Sequence, residues 1–511
     1  MKRIVTGKLS LNRRGFGFVS RDDGGPDVFI PRHSIGGAIT GDTVSVLLER
    51  DSDKGPEGRI EEIITRERTH LVGTVVESDH PKHAIAYIAM LGPKRLVKVR
   101  NTGETPLTPG DRLYLEVLDW GDEEEPMRTQ VDRHLGPSSD ASLDIEIAML
   151  EAAIEHAFPD GAEQEAERIG SEVSASDLEE REDHTDLTTI TIDPTTARDF
   201  DDALSLSIDE KGHYHLGVHI ADVSHYVKPG SPLDIEAMRR SNSTYFPRRC
   251  IPMLPETLSN GLCSLNEGVV RLTASLFMTF DETGKLLDHR ITRSAIKSRK
   301  RFTYEEAKEV LDGERTSPHV QLIRDMTDLA MLLKKRRFDR GCVDLALPEI
   351  VLKIDESGVP TEYETIEYDI THQLVEEYML KANEVVAKAL AESGGEAIFR
   401  VHEEPSLENQ KEFFALARLL GFAMPDKPTQ GDVQRLMNEA KTSPKGRQLA
   451  IAFIKSMKQA VYSHLNVGHY GLSLEFYCHF TSPIRRYSDL IAHRLLFGDA
   501  VPDDLEALAT T

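Results

Sequence analysis

Four aspartates fall within ten positions in the segment Asp193-Pro194-Thr195-Thr196-Ala197-Arg198-Asp199-Phe200-Asp201-Asp202-Ala203. An apolar run, residues 187–192, precedes it, and an alternating run, residues 204–208, follows. Carboxylates crowded between two strand-like segments repel one another. Unpaired and partly buried, they protonate or unfold the turn. A hard divalent cation removes the conflict, because Mg²⁺ and Mn²⁺ prefer oxygen ligands. An acidic surface loop is the competing reading. A calcium loop of the EF-hand type fails on count. Starting from Asp193, that pattern wants Gly at its sixth position and Glu at its twelfth, where this chain has Arg198 and Leu204. The flanking apolar runs favour a metal site carried on a rigid sheet edge.

A second group of residues points to nucleic acid. In Arg14-Gly15-Phe16-Gly17-Phe18-Val19, two phenylalanines stand two residues apart and so share one strand face. Aromatic rings on an open strand are stacking platforms for bases, and the glycines are expected to keep that surface open. The hexapeptide fits the RNP1 pattern of the RRM fold, but in an RRM the partner motif lies upstream. Here the second aromatic segment comes after it, in Asp27-Val28-Phe29-Ile30-Pro31-Arg32-His33. The order resembles that of the cold-shock domain, a five-stranded OB-type barrel. The resemblance implies that Phe16, Phe18, Phe29 and His33 contact single-stranded RNA. Ordinary core packing is the alternative for the phenylalanines.

The surrounding elements follow from periodicity. Residues 4–50 alternate between turns at Gly24-Gly25-Pro26 and Gly36-Gly37, which predicts a small β-barrel. Residues 71–120 repeat the style without a clear aromatic pair, which predicts a second barrel. Gly121-Asp122-Glu123-Glu124-Glu125-Pro126 reads as a boundary. Residues 141–157 carry Leu143, Ile147, Leu150 and Ile154 at helical spacing. The acidic stretch up to Asp186 reads as a linker. Downstream, Thr303 and Glu306 form a capping box that opens a helix, and residues 374–383 carry a helical apolar stripe.

The chain has 511 residues and a formal net charge of -25. That charge alone argues against a nucleic-acid partner, but it is unevenly spread. Basic clusters stand at Lys297-Ser298-Arg299-Lys300-Arg301, Lys334-Lys335-Arg336-Arg337 and Arg485-Arg486. No apolar run is long enough to span a bilayer, and no signal-peptide core opens the chain. Cys250, Cys263, Cys342 and Cys478 are scattered, which suits a reducing cytosol and gives no zinc site.

Four further stretches complete the pattern: Tyr245-Phe246-Pro247; Ile251-Pro252-Met253-Leu254-Pro255-Glu256 with Leu262-Cys263-Ser264-Leu265; Arg301-Phe302-Thr303-Tyr304-Glu305-Glu306; and His479-Phe480-Thr481-Ser482-Pro483-Ile484-Arg485-Arg486-Tyr487-Ser488-Asp489-Leu490. With the aspartate cluster, and in this order, they resemble the RNase II/RNase R (RNB) family of exoribonucleases over nearly the whole chain. The two leading barrels point to the RNase R branch.

The resemblance implies a multidomain α+β fold. It consists of an OB-fold, cold-shock-like barrel at 1–65, a second at 66–124, an acidic helical linker at 125–188, and a mixed α/β RNB catalytic domain at 189–511. It implies a 3′→5′ exoribonuclease that degrades single-stranded RNA processively to nucleoside 5′-monophosphates. Two metal ions roughly 4 Å apart would activate water and stabilise the leaving oxygen. Asp193, Asp199, Asp201 and Asp202 match the metal-binding cluster for Mg²⁺, with Mn²⁺ the second choice. Asp201, Asp202 and Arg485 are the expected catalytic residues. Tyr245 matches an aromatic that stacks on bases. Tyr304 and the pair Glu376/Glu377 match residues that position the terminal nucleotide, with the choice between the two glutamates open. Arg486 is either a second phosphate contact or structural. Near Asp344 the family has Phe where this chain has Leu345, which predicts a looser base clamp. The family continues beyond the Arg485 motif into an S1 domain, so a C-terminally truncated chain is expected. The other expectations are a cytoplasmic location, a monomer, and no membrane partner. A non-catalytic RNA-binding protein on the same fold is the alternative function.

Overall fold

The computed structural model describes residues 3–12, 14–52, 55–91, 96–121, 126–343, 349–366, 368–394, 396–502 and 504–510. The chain divides into two compact units. The first comprises Met1–His156 with Leu352–Tyr363, and the second comprises Ala157–Val351 with Glu364–Thr511. Asp344 and Leu345, where a looser base clamp was expected, lie outside the described residues.

The first unit opens with strands β1 (Ile4–Leu11), β2 (Gly17–Arg21), β3 (Val28–Ile30), β4 (Thr43–Ser52) and β5 (Gly55–Thr65), closed in the order β1-β2-β3-β5-β4. Period-two alternation sends Val5, Leu9, Val19, Val28, Ile30, Val44 and Val46 inward. Gly17 also points inward. A Cβ there would stand 2.8 Å from Leu11 and 2.9 Å from Leu9. This glycine lets the barrel close and does not open the outer face, contrary to the sequence expectation. On the outer face Phe16, Phe18 and Phe29 form a triad. Ring centroids are 5.9 Å apart for Phe16–Phe18 and 5.6 Å for each of the other two pairs. His33 is exposed on the following 3-10 turn and makes no ring contact with the triad.

The second barrel joins β6 (His70–His80), β7 (His83–Tyr87), β8 (Leu96–Arg100), β9 (Asp111–Asp119) and β10 (Arg128–Pro137) in the order β10-β8-β7-β6-β9. Its extent corrects the expected boundary at 124. β10, which follows the Gly- and acid-rich stretch in the sequence, pairs with β9 and β8, so the barrel extends to Pro137. A turn and a linker share that composition, and only strand pairing separates them. Helix α1 (Asp144–Ala152) follows.

The second unit begins with α2 (Asp160–Ile169) and α3 (Ala175–Leu178). Its centre is a third closed barrel of β11 (Glu182–Asp193), β12 (Asp202–Ile208), β13 (Tyr214–Ala221), β16 (Val270–Phe280) and β17 (Leu286–Thr303), in that order. The catalytic fold therefore starts at Glu182, before the expected 189. Short helices α4 (Val223–Tyr226) and α5 (Pro232–Arg240) and the hairpin β14 (Thr244–Phe246)–β15 (Arg249–Ile251) lie between β13 and β16. Successive barrel strands are antiparallel, so with five of them the first and last run the same way and close as a parallel pair. The two strand ends therefore lie side by side, with Asp193 opposite Thr303.

Thr303 caps α6 (Tyr304–Asp312) through the expected capping box with Glu306. Helix α7 (Val320–Asp339) and, after the strands β18 (Glu349–Ile354) and β19 (Pro360–Ile366), helix α8 (Ile370–Glu392) complete the core. Ala307, Val310, Ile323, Met326, Leu374 and Tyr378 share one buried cluster with Leu204, Leu216, Val218 and Leu276 of the barrel. Helices α9 (Leu407–Leu419), α10 (Gln430–Lys441) and α11 (Gly446–Ser456) pack around their own core of Phe413, Leu436 and Phe453. Helix α12 (Tyr487–Phe497) follows the Arg485 motif. Among the described residues, no helix is long and apolar enough to cross a membrane.

Candidate active site

The aspartate segment is the connection from β11 to β12. Asp193 ends one strand and Asp202 begins the next. Two side chains pin the loop between them. Arg301 of β17 donates from Nη2 to the carbonyls of Pro194, at 2.7 Å, and Thr195, at 3.3 Å, and its guanidinium lies 5.4 Å from the Phe200 ring centroid. Buried Ser264 donates its hydroxyl to the Arg198 carbonyl at 2.7 Å and accepts from the Phe200 amide at 3.0 Å. Neither residue was singled out from the sequence as a site residue. Ser264 was visible only as part of a matching stretch, and Arg301 only as part of a basic cluster.

The carboxylates sit in unlike surroundings. Asp193 is buried and its Oδ2 has no hydrogen-bond partner. Burial pushes its carboxyl up to about 7, and the neighbouring Asp202 carboxylate adds to the rise. Burial raises Asp202 to about 6 against the pull of Arg485. Asp201 is buried and raised well above the usual carboxylate range by burial, although Arg485 and the Ile484 amide oppose the shift. Asp199 is half-exposed and accepts a hydrogen bond from the Tyr245 hydroxyl at 2.9 Å.

The loop before α12 reaches Asp201 from the far end of the sequence. The Ile484 amide donates to Asp201 Oδ1 at 2.9 Å, and Arg485 Nε lies 3.4 Å from Oδ2. Arg485 Nη2 also donates to Ser482 Oγ at 2.9 Å. Asn383 of α8 holds one end of this loop by accepting from the Phe480 amide at 2.8 Å. Asp489 holds the other end, since its Oδ1 accepts from the Ser482 amide at 2.8 Å and from Arg486 Nη2 at 2.6 Å. Arg486 is thus occupied as a brace.

Tyr304, the first residue of α6, stacks on His372 with centroids 4.0 Å apart and planes 10° from parallel. The His372 ring is fixed by Asp369, the N-cap of α8, at 2.9 Å. Tyr368 donates its hydroxyl to Glu376. Glu377, one residue on, turns to the other side and is buried against Arg337, which grips both of its oxygens. One step along a helix rotates a side chain by about 100°, which explains the different surroundings of the two glutamates. His372 and Tyr368 gave no recognisable signal in the sequence, and Arg337 stood out only as part of a basic cluster.

Comparison with known proteins then settles the family. The RNB domain model matches residues 181–498, and the Ribonuclease B OB domain model matches residues 7–63. The chain belongs to the RNB family. Membership makes it a hydrolase of the exoribonuclease class. It is 42% identical over 507 residues to Ribonuclease R of Chlamydia trachomatis, covering 97% of this chain and 73% of that protein. It is 27% identical to Mycoplasma genitalium RNase R, solved in complex with ribose-methylated single-stranded RNA. The TM-score is 0.86, with 99% of this chain and 83% of that one covered. Yeast Ssd1, a pseudonuclease, shares the fold at TM-score 0.74 and 20% identity, over 99% of this chain and 71% of that one. That likeness is one of fold.

RNB exoribonucleases are in general metal-dependent, and the carboxylates fit a cation. An orphaned, buried Oδ2 on Asp193 beside a second raised carboxyl is stable only when protonated or when paired with positive charge. The donor set is all oxygen, as Mg²⁺ and Mn²⁺ require. Among the described residues, no group of three or more His, Cys, Asp or Glu side chains is gathered closely enough to hold a metal ion. Asp201 has both oxygens engaged by Ile484 and Arg485.

Proposed function

We propose that the chain is a 3′→5′ exoribonuclease that hydrolyses single-stranded RNA processively to nucleoside 5′-monophosphates, with Mg²⁺ at the aspartate cluster. The observation that carries this reading is the convergence of Arg485 and the Ile484 amide on Asp201, in the segment that also holds the unpartnered Asp193 oxygen. Asp193, Asp199, Asp201 and Asp202 would hold two divalent ions, whose chemistry is to activate water and to stabilise the departing 3′-oxygen. Arg485, 41% exposed in its side chain, can turn from Asp201 to the scissile phosphate, where a planar guanidinium stabilises charge on two phosphate oxygens.

The remaining roles follow from what each side chain is free to do. Tyr245 presents an exposed ring for a base and anchors its hydroxyl on Asp199. Tyr304, backed by His372, offers a platform for the terminal nucleotide. Glu376 is the member of the glutamate pair able to accept from a ribose hydroxyl, because Glu377 is spent on Arg337. Arg486 supports the Arg485 loop and makes no phosphate contact. In the first unit, Phe16, Phe18 and Phe29 supply a stacking surface for single-stranded RNA, with His33 at its edge. The protein works as a monomer in the cytoplasm.

The test uses a 5′-labelled single-stranded RNA with and without Mg²⁺. A ladder that shrinks from the 3′ end only with metal is expected. Asp201→Asn should stop cleavage while sparing RNA binding. An Asp201→Asn chain that trims RNA at the wild-type rate would refute the assignment, and internal cuts would point to an endonuclease. Equal digestion of matched DNA would overturn the choice of RNA, since the 2′-hydroxyl distinguishes the two.

A further inference from the structure

A second charged site lies on the other side of α8. A cavity of about 210 Å³ opens between the C-terminal half of α7, the middle of α8 and the turn from β16 to β17. Its floor is the Arg337–Glu377 ion pair, which is nearly buried, at 12% and 3% side-chain exposure. On one wall Arg340 and Lys381 share a single carboxylate, Glu384, at 3.3 Å and 2.9 Å. Lys285 and Arg336 face the same space, both exposed and with no ion pair of their own among the described residues. Five cations thus line one concavity against two carboxylates. In a chain of net charge -25, such a local excess is unusual, and it draws an anion.

The shape and donors narrow the anion. Guanidinium and ammonium groups around a half-enclosed space suit a compact dianion with several acceptor oxygens, which describes a phosphate group. The cavity is too small for a polynucleotide strand to thread, but it holds a phosphate and part of the attached sugar. Its position on α8 supplies the source. Glu376 and Tyr368 face the Tyr304–His372 stack, while Glu377, one residue on, forms the cavity floor. The proposed terminal-nucleotide position and the cavity thus lie on adjacent faces of one helix.

We propose that this cavity binds the phosphate group of the released nucleoside 5′-monophosphate and acts as a product site distinct from the aspartate cluster. The proposal rests on the reading that the products carry 5′-phosphates. Occupancy of the site neutralises the surplus charge of Lys285, Arg336, Arg340 and Lys381, and it slows the return of the nucleotide to the catalytic centre.

The test titrates AMP, adenosine and inorganic phosphate into the full chain by calorimetry in EDTA, where the aspartate cluster has no metal with which to hold a phosphate. AMP and phosphate are expected to bind and adenosine not to. The double variant Lys285→Glu/Arg336→Glu changes two exposed side chains outside the catalytic machinery. It should weaken AMP by at least about tenfold and leave the initial rate of RNA cleavage and the melting temperature unchanged. The neutral pair Lys285→Gln/Arg336→Gln should fall between. Adenosine binding as well as AMP, AMP binding equally to the wild type and the charge-reversed variant, or no heat at millimolar AMP would each overturn the site. Chromatography of the RNA digest reads the parent claim separately. Products ending in 3′-phosphates would sink the 5′-monophosphate chemistry while leaving the phosphate titration to stand or fall alone.

Discussion

Arg485 Nε lies 3.4 Å from Asp201 Oδ2, and the amide next to it, on Ile484, bonds the other oxygen of the same carboxylate across 283 residues of sequence. A cation thus rests on the carboxylate until a better-placed positive charge arrives. Arg485→Ala should lower single-turnover cleavage by about 10²- to 10³-fold, the usual cost of removing one donor aimed at developing charge. RNA affinity should change far less. Arg485→Lys should recover only part of the rate, because an ammonium cannot hold two phosphate oxygens in a plane. Equal losses of binding and rate would move Arg485 from the reaction to the docking surface.

The metal-free site should reveal itself through pH. Burial holds the folded-state values of Asp193 and Asp202 at about 7 and about 6, above the ordinary 3.8. As pH falls from about 8 to about 5, the folded chain takes up protons that the unfolded chain does not. The chain in EDTA should therefore gain stability over that interval. In saturating Mg²⁺ the carboxylates stay charged, so the stabilisation due to metal should be greatest near pH 8 and shrink below pH 7. Melting temperatures in EDTA and in Mg²⁺ across this range measure both effects. Asp193→Asn should flatten both, and a flat EDTA series for the unmutated chain would contradict the buried-carboxylate picture.

Arg301 fixes the loop that carries the ligands. Arg301→Ala frees the Pro194 and Thr195 carbonyls and uncovers Phe200. Losing charge-assisted hydrogen bonds of this kind costs about 1.5–3 kcal/mol each. The change should appear as Mn²⁺ affinity lowered by about tenfold or more in a paramagnetic titration, with the barrel still folded by circular dichroism. Unchanged Mn²⁺ binding would reduce Arg301 to a surface residue.

The buried pair at the start of the catalytic unit sets an acid limit. Arg181 Nη2 donates to Asp222 Oδ2 at 2.6 Å, and Arg293 Nε lies 3.4 Å from the same oxygen. Burial would raise Asp222, but the two arginines outweigh it and hold the carboxyl at about 2. Its folded-state value lies below the ordinary 3.8, so its contribution is present above that pH and is lost as pH falls toward 2. Asp222→Asn strands Arg181 in the interior, while Arg293 keeps Asp499, and should cost about 3–5 kcal/mol at neutral pH. Denaturant melts of the two chains measure this, and coincident curves would show that Arg181 finds another partner.

The sequence exposed the parts of this protein that repeat a local rule. The Asp193–Asp202 spacing, the Thr303/Glu306 capping box and the alternation of the first barrel are each written within a few residues, and each corresponds to an element of the structure. What stayed hidden depends on contacts between distant segments. Arg301 could not be linked to the aspartate loop without knowing that β17 lies beside β11, nor Ser264 without knowing that the stretch before β16 packs against that loop. The unlike surroundings of Glu376 and Glu377 depend on the direction of α8 and on Arg337 of α7. The second barrel extends past the boundary read at 124, because the pairing of β10 with β8 is a long-range contact that composition does not record.

The closure of the catalytic barrel by β11 and β17 has one further consequence. Strand parity decides which rim receives the end of β17. With an even number of strands, Tyr304 would emerge at the opposite mouth from Asp193, however well each strand packed. Loop length does not enter this rule. The chain between β13 and β16 and the whole of α9–α11 could grow or shrink while Asp193 and Thr303 stayed level. The barrel therefore separates what must be conserved in number, its five strands, from what is free to vary in length.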